Sequence, residues 1–172
     1  KYHESAAGAL RERIRRTVFA ASKENPRYAM NGLLWELEGK LARLVATDCR
    51  RLALVEGAAV DHGGHSTQGQ TSVVPTKAMN LLERNLQDDE ETVRVTLRPN
   101  EALFKTSRAM IYSRLVEGRF PNYREVFPKK QTVKVPLVVG PFQAAVRQAA
   151  IMTDEESKRV MFAFTKKKVT LQ

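Results

Sequence analysis

The chain has 172 residues, 42% of them hydrophobic, and 29 Lys and Arg residues against 19 Asp and Glu give it a formal net charge of +10. This length suits one large or two small domains, and the apolar content is enough for a packed core. One cysteine excludes an intramolecular disulfide, and the sequence shows neither a signal peptide nor an apolar run of about 18 residues, so we expect a soluble intracellular protein.

Hydrophobic periodicity predicts a helix and then strands in the first part of the chain. The helix covers residues 5–21, ends at Asn25-Pro26 and has apolar residues at three-to-four spacing: Leu10, Ile14, Val18 and Ala21. From Leu33 to Val55 the pattern changes to strands, with the segments LLWELE, LARLVAT and LALVE separated by a Gly39-Lys40 turn and a second corner. The glycine-rich segment 57–71 is predicted to be a loop.

The remaining sequence repeats this alternation of helix and strands. Segment 73–87 has a proline near its start and predicts a second helix, which the strands TVRVTL, ALFKT and AMIYSRL follow. Segment 116–130 is predicted to be an extended connector. An edge strand over 132–139, a third helix opening at Gly140-Pro141 and a hairpin of RVMFAF with KVTLQ complete the prediction.

An internal repeat accounts for this order of elements. Aligning the third helix with the first places Phe142 on Leu10, Val146 on Ile14 and Ala150 on Val18. Repeated units of this size usually stack to share a core, so we expect a complete unit followed by an unfinished one.

Basic residues lie on the sides of both leading helices away from their apolar residues. On the first helix these are Arg11, Arg13, Arg15 and Arg16, and on the second they are Lys77 and Arg84. A solvated helix face is the alternative interpretation. Two equivalent helices that are both basic favour a surface that follows a nucleic-acid backbone through contacts independent of base sequence.

The corner between two predicted strands, LVATDCRRLAL at 44–54, holds the only cysteine beside two arginines. It has three interpretations: a thiolate nucleophile at Cys49, a plain turn, or one wall of a binding cleft. The histidines at 3, 62 and 65 stand in no motif that supplies a base, which disfavours an enzyme. Asp61 with His62 and His65 lacks a further ligand nearby, so no metal site is expected.

Four motifs in order resemble one known family: RYAMNGLLWE (27–36), LVATDCRRLAL (44–54), VVPTKAMNLLERNL (73–86) and SRLVEGRFPNYREVFPK (113–129). They look like the middle domain and the start of the last domain of the bacterial DNA polymerase III beta subunit, the sliding clamp. The resemblance implies an α+β DNA-clamp fold, with repeated helix-plus-antiparallel-sheet units, helices on one face and sheets on the other. Residues 1–128 would be a complete middle domain with its connector, and 129–172 the truncated start of the last domain.

The function that this resemblance implies is that of a non-catalytic processivity factor without cofactor or metal. Family members form a homodimeric ring around double-stranded DNA, which slides without reading sequence. The implied partners are the polymerase III catalytic subunit, the clamp loader, and other polymerases and repair proteins that carry short Leu/Phe-containing peptides. The implied location is cytoplasmic and nucleoid-associated, with no membrane contact.

The resemblance also assigns candidate site residues. The partner-peptide cleft would include Met30, Thr47, Cys49, Arg50, Arg51, Leu52, Pro121, Glu125 and Val126, and the DNA-facing residues would be Arg11, Arg15, Lys77 and Arg84. The family usually has glycine and histidine in place of Cys49 and Arg50, and commonly a basic residue in place of Glu125. A Cβ at position 49 is unfavourable if that glycine uses positive φ. Part of the family's cleft comes from its last residues, outside this sequence, so we expect weak peptide binding. The family's subunit interfaces involve its first and last domains, so we expect a monomer.

A non-encircling basic nucleic-acid-binding module remains the alternative function. Such a module would need stacking aromatics on an exposed sheet. The aromatic residues here follow strand patterns that place them in the core: Trp35, Phe104, Tyr112, Phe162 and Phe164.

Overall fold

The computed structural model describes residues 1–23, 28–128, 130, 132–153, 159–165 and 168–172. The chain divides into two compact units, Lys1–Phe127 and Pro128–Gln172. The Asn25-Pro26 helix end predicted above lies outside the described residues.

The helices and strands of the first unit occur in the order β1 (Tyr2–Ala6), α1 (Ala7–Arg15), β2 (Gly32–Glu38), β3 (Leu41–Thr47), β4 (Leu52–Ala58), β5 (Val60–His62), β6 (Val73–Pro75), α2 (Thr76–Asn85), β7 (Thr92–Arg98), β8 (Glu101–Lys105) and β9 (Met110–Arg114). Short 3-10 turns cover Val18–Ala20 and Tyr123–Val126. One sheet has the order β5-β1-β7-β8-β9 and the other β4-β3-β2-β6. Every pairing in both sheets is antiparallel.

The main core lies between the two helices and one face of each sheet. Trp35 on β2 and Phe104 on β8 bring the sheets together, with ring centroids 5.4 Å apart. Both helices turn their apolar residues into the same cluster, through Leu10 and Ile14 on α1 and Leu82 on α2. Because single helices and sheets of this size cannot bury their apolar faces alone, the two helices and the two sheets stabilise one another.

A second, smaller apolar cluster covers the other face of the four-stranded sheet, and we call it the outer cluster. Its buried members are Ala29, Leu34, Val45, Val73 and Tyr123, and Leu52, Leu54, Val116 and Phe120 pack against it. Side chains alternate along a strand, so β2 sends Leu33 and Trp35 to the main core and Leu34 to the outer cluster. The connector from Val116 to Phe127 thereby packs on the sheet.

The first helix is shorter than the sequence predicts. Residues 2–6 form β1, which pairs with both β5 and β7, so α1 begins only at Ala7. Past Arg15 the Thr17 hydroxyl donates to the carbonyls of Arg13 and Ile14, and the chain tightens into a 3-10 turn. The pairings of β1 with β5 and β7 join segments distant in the sequence and therefore leave no periodic signal in the local sequence.

The second unit contains α3 (Val139–Ile151) and a hairpin of β10 (Phe162–Phe164) with β11 (Val169–Leu171) among its described residues. The helix and the hairpin agree with the sequence prediction. The predicted edge strand is wrong, because described residues 132–138 form no strand. Pro136 lacks the backbone donor that a ladder needs, which removes one of the hydrogen bonds that would hold a strand there.

The expectation that all five aromatic residues lie in the core is also wrong. Trp35 and Phe104 are buried, but Tyr112 is 59% exposed, and Phe162 and Phe164 are exposed as well. On β9 it is Ile111 that turns to the core, and alternation then directs Tyr112 to solvent.

Candidate functional site

The corner between β3 and β4 is a tight turn held by its own side chains. The Asp48 carboxylate accepts hydrogen bonds from the backbone amides of Arg50 and Arg51, both at 3.0 Å. The Thr47 hydroxyl donates to the Arg51 carbonyl at 2.8 Å and accepts from the Cys49 amide at 3.1 Å. Desolvation opposes ionisation of Asp48, but these amide bonds and the Arg51 guanidinium outweigh it and lower its pKa. The corner is therefore pre-formed.

Cys49 adopts a left-handed backbone conformation, with φ of 68°, and no other described non-glycine residue has positive φ. Its thiol donates to the Met30 sulfur at 3.4 Å. No histidine ring in the described part of the chain bonds to this thiol, since His3 and His65 bond to each other and His62 bonds to Glu4. The geometry assembles no nucleophile and base at Cys49.

Apolar residues form the floor beside this corner. Met30 is buried, and Leu52 is half-buried against the outer cluster. Arg50 and Arg51 are exposed at the rim, and the Arg51 guanidinium lies 5.9 Å from the centre of the exposed Phe19 ring. Thr47 is buried, so its hydroxyl serves the turn rather than the rim.

The remaining cleft candidates lie on the connector. Pro121 is half-buried, Glu125 is exposed and accepts a hydrogen bond from the Asn122 amide at 2.6 Å, and Val126 is 69% exposed. Within the described residues, no hydrogen bond joins Glu125 or Val126 to the corner. The corner and the connector are instead related through the outer cluster, which both Leu52 and Tyr123 contact.

Glu36 on β2, which sequence reasoning did not single out, links the connector to the sheet. Its carboxylate accepts hydrogen bonds from Arg43 at 2.7 Å, from the Tyr123 hydroxyl at 2.8 Å and from Arg124 at 2.8 and 2.9 Å. Burial opposes ionisation of Glu36, but the bonds from Arg43 and Tyr123 with the Arg124 charge outweigh it and lower its pKa. Burial and the adjacent carboxylate raise the pKa of Tyr123. The sequence contains one signal for this pair, because a hairpin of β2 and β3 places Glu36 and Arg43 opposite each other.

The four predicted DNA-facing residues differ in their surroundings. Arg11 donates to the Leu86 carbonyl at 2.8 Å and forms an ion pair with Asp89. Arg15 donates to Glu83 of α2 at 2.6 Å. Lys77 and Arg84 are exposed and have no ion-pair partner among the residues described. Half of this set therefore already has partners within the protein.

Arg13, expected on the basic outer side of the first helix, is buried. It is 7% exposed, and its guanidinium donates to the Ala58 carbonyl at 2.7 Å and the Ser5 hydroxyl at 3.2 Å. Arg13 lies almost one turn after Leu10, on the flank of the apolar stripe, where packing on the sheets covers it. Burial lowers its pKa.

The described residues contain neither a metal-binding cluster nor a membrane-spanning helix. No three or more His, Cys, Asp and Glu side chains are grouped as metal ligands there. No helix there has both the length and the apolar content needed to cross a membrane.

The comparisons with known proteins agree with this fold. The family model of the DNA polymerase III beta subunit, central domain, matches residues 6–122. The beta sliding clamp of Halalkalibacterium halodurans is 29% identical over 152 residues, covering 88% of this chain and 40% of the relative. That of Escherichia coli strain K12 is 32% identical over 151 residues, with the same coverage. The chain thus spans about 40% of the length of these curated relatives.

Solved structures extend the similarity to nearly the whole chain. The DNA polymerase sliding clamp from Bacillus subtilis superposes with a TM-score of 0.88 at 24% identity, over 99% of this chain and 45% of that structure. The predicted α+β clamp fold is therefore confirmed. Since the family model covers well over half of the sequence, the chain belongs to the DNA polymerase III beta subunit family and contains its central domain.

Proposed function

We propose that this chain is part of the processivity clamp of a bacterial replicative polymerase, a homodimeric ring that encloses duplex DNA and slides along it. The match of the central-domain model to residues 6–122 carries this proposal, and relatives named beta sliding clamps support it. Residues 1–128 are then the middle domain with its connector, and 129–172 begin the last domain. The location is cytoplasmic, at the nucleoid.

The mechanism is topological tethering, in which no bond is made or broken and no cofactor is needed. A closed ring keeps bound polymerase at high effective concentration near the primer end, so the ring's contacts to DNA need only be weak and mobile. The net charge of +10 supports attraction to phosphate. Lys77 and Arg84 supply exposed charge with no ion-pair partner among the described residues, while the charges of Arg11 and Arg15 are partly offset by Asp89 and Glu83.

The 47–52 corner, with the connector, is the docking site for short partner peptides. Met30 and Leu52 form an apolar floor for leucine or phenylalanine side chains, Val126 adds an exposed apolar wall, and methionine adapts to several shapes. Arg50 and Arg51 provide polar contacts at the rim. The partners are the catalytic polymerase subunit, the clamp loader, and other polymerases and repair proteins.

One observation favours the alternative of a non-encircling nucleic-acid-binding module. Tyr112 is exposed on the same sheet face as Arg98, Lys105 and Arg114, and such a face can stack bases beside phosphate contacts. The two functions predict different behaviour at DNA ends: a ring can leave DNA over a free end, whereas binding by a surface module does not depend on free ends.

Retention on DNA tests the ring. The full-length parent protein is loaded onto a nicked circular plasmid, and the plasmid is then cut once. We expect the protein to stay on the circle and to leave after cutting, because a ring escapes only over a free end. Equal retention on both forms would favour the surface-binding module.

Peptide affinity tests the docking site. In the full-length protein, Leu52→Ala or Met30→Ala should weaken binding of a dye-labelled synthetic peptide containing leucine and phenylalanine by about 1 kcal/mol or more. Leu103→Ala, at a half-buried leucine of the other sheet, is the matched control and should leave affinity unchanged. Unchanged affinity in the first two variants would place the docking site elsewhere.

A Cys49→Ser variant tests the alternative of a reactive thiol. It should be retained on circular DNA as the wild type is. A folded variant that is no longer retained would support a reactive thiol.

A further inference from the structure

We propose that Glu36 is a positioning residue for partner peptides: it holds Tyr123 and Arg124, and through them the connector from Pro121 to Val126, in the place that the docking site requires. This inference rests on the proposed function of the 47–52 corner and the connector. Glu36 touches no peptide itself in this arrangement.

The sheet holds Glu36 from below through a row of alternating charges. Glu36 on β2 lies directly opposite Arg43 on β3, and Arg43 lies directly opposite Glu56 on β4. Arg43 donates to Glu36 at 2.7 Å and to Glu56 at 2.5 Å. The hydrogen bond to Glu36 raises the pKa of Arg43, consistent with a strong pair. A row of paired side chains on three adjacent strands thus holds the Glu36 carboxylate in place independently of the connector.

The Val116 amide at the start of the connector donates to the Val73 carbonyl of β6 at 2.8 Å, but among the described residues 120–127 the only polar attachment to the sheet is to Glu36. The remaining bonds there are local, such as the Tyr123 amide to the Pro121 carbonyl at 2.8 Å. The Tyr123 ring is 4% exposed in the outer cluster, and the Arg124 guanidinium lies 4.9 Å from its centre. Apolar packing buries the ring, and Glu36 determines its orientation.

This arrangement matters for affinity because Val126 is 69% exposed and so gains little from packing of its own. Val126 ends the 3-10 turn that Tyr123 begins. A wall that is already in place avoids the entropy loss of ordering it when a peptide binds. A carboxylate suits the task, since its two oxygens accept bonds from three donors at once and carry the charge that Arg43 and Arg124 require. Glutamine offers one accepting oxygen and no charge.

The test uses the full-length protein and the dye-labelled Leu/Phe peptide. Glu36→Gln should weaken binding by about three- to tenfold, measured by fluorescence anisotropy well below the melting temperature. Tyr123→Phe should weaken it less, and in the Glu36→Gln background it should have little added effect, because both changes remove the same attachment. Amide hydrogen exchange of residues 121–127 should accelerate in Glu36→Gln without peptide and return towards the wild-type rate at saturating peptide. A purely global loss of stability would not produce that local pattern.

Glu101→Gln is the matched control, since it breaks an exposed cross-strand pair with Arg98, 2.7 Å long, in the other sheet. It should change neither affinity nor exchange at 121–127. Unchanged affinity in Glu36→Gln, with Leu52→Ala still weakening the peptide, would overturn the positioning role and leave the docking site standing. If neither variant changes affinity, the docking site itself is wrong.

Discussion

The thiol of Cys49 lies 3.4 Å from the sulfur of Met30, although 19 positions separate the two residues in the sequence. Cys49 reaches Met30 from a left-handed backbone conformation, with φ of 68°. The contact joins the β3–β4 corner to Met30, two positions before β2, so the polar turn lies directly beside a buried apolar residue.

Glycine at position 49 should stabilise the corner. A left-handed conformation costs an L-residue roughly 1–2 kcal/mol, and glycine avoids this at the expense of greater freedom when unfolded. We therefore expect Cys49→Gly to exceed Cys49→Ala in free energy of unfolding by about 0.5–1 kcal/mol in urea titrations, since both lack the thiol. Equal stability of the two variants would show that the turn tolerates a Cβ without strain.

A side chain at Gly57 should destabilise the first unit through Arg13. A Cβ built on Gly57 collides with the buried guanidinium, which is committed to the Ala58 carbonyl. Gly57→Ala should lower the free energy of unfolding by about 1–3 kcal/mol, as overpacking does. In an Arg13→Ala background the same change should cost much less. A constant cost in both backgrounds would assign the effect to the backbone of β4.

The internal ion pairs of α1 should limit its contribution to DNA binding. Lys77→Ala should weaken DNA binding by the full-length protein and reduce the slope of log affinity against log salt by about 1, whereas Arg15→Ala should do less. Glu83→Gln releases Arg15 from its 2.6 Å pair and should strengthen binding. Lys40→Ala, in the exposed β2–β3 turn, is the control and should leave DNA affinity and its salt dependence unchanged. Equal losses for Arg15 and Lys77 would mean that DNA displaces Glu83.

A buried histidine pair should make stability sensitive to mild acid. His3 donates from Nε2 to the Gly39 carbonyl at 2.9 Å, and its Nδ1 lies 2.9 Å from Nδ1 of His65, so the neutral ring satisfies both contacts. Burial lowers the pKa of His3 below 6.5, and the Gly39 bond and the nearby Asp61 charge offset this only in part. His65 and His62 add to the lowering.

The sign follows from proton binding. A histidine with a lowered folded pKa takes up its proton more readily when unfolded, so stability is complete above pH 6.5 and falls as pH drops towards the folded pKa. We expect His3→Gln to flatten the dependence of urea midpoints on pH between about 7 and 5. His62→Gln removes only the smallest contribution to the lowered pKa of His3 and should therefore retain most of the wild-type slope. An unchanged slope in His3→Gln would assign the acid sensitivity to other groups.

Local pattern was sufficient for the elements whose neighbours are close in sequence. Segments 33–38 and 41–47 are short apolar runs, segment 92–98 alternates between buried and less buried residues, and the hairpin partner of each strand follows at once. β1 escaped prediction because its partners lie near positions 61 and 94, and its residues also continue the helical pattern of α1. Periodicity places β6 in the second helix for the same reason, because its partner β2 lies about 40 positions earlier in the sequence.

The candidate site likewise contains residues that the sequence identifies and contacts that only the structure shows. Motif resemblance singled out Leu52 and Lys77, but spacing alone shows neither that Arg15 is tied to Glu83 nor that Glu36 holds Tyr123. Those relationships span 68 and 87 positions and arise only when the sheets and helices pack. The second unit shows the same limit of local sequence patterns. Residues 132–138 have a strand pattern that includes Pro136, but they form no strand.

The sequence by itself determined the family, the alternation of helices and antiparallel strands, and the basic charge, because each resides in residue order and composition. Only the tertiary structure decided which charges stay exposed and that Arg13 and the His3–His65 pair are buried. The physical reason is that burial and ion pairing depend on distances between segments remote in the chain. Local periodicity carries no information about those distances.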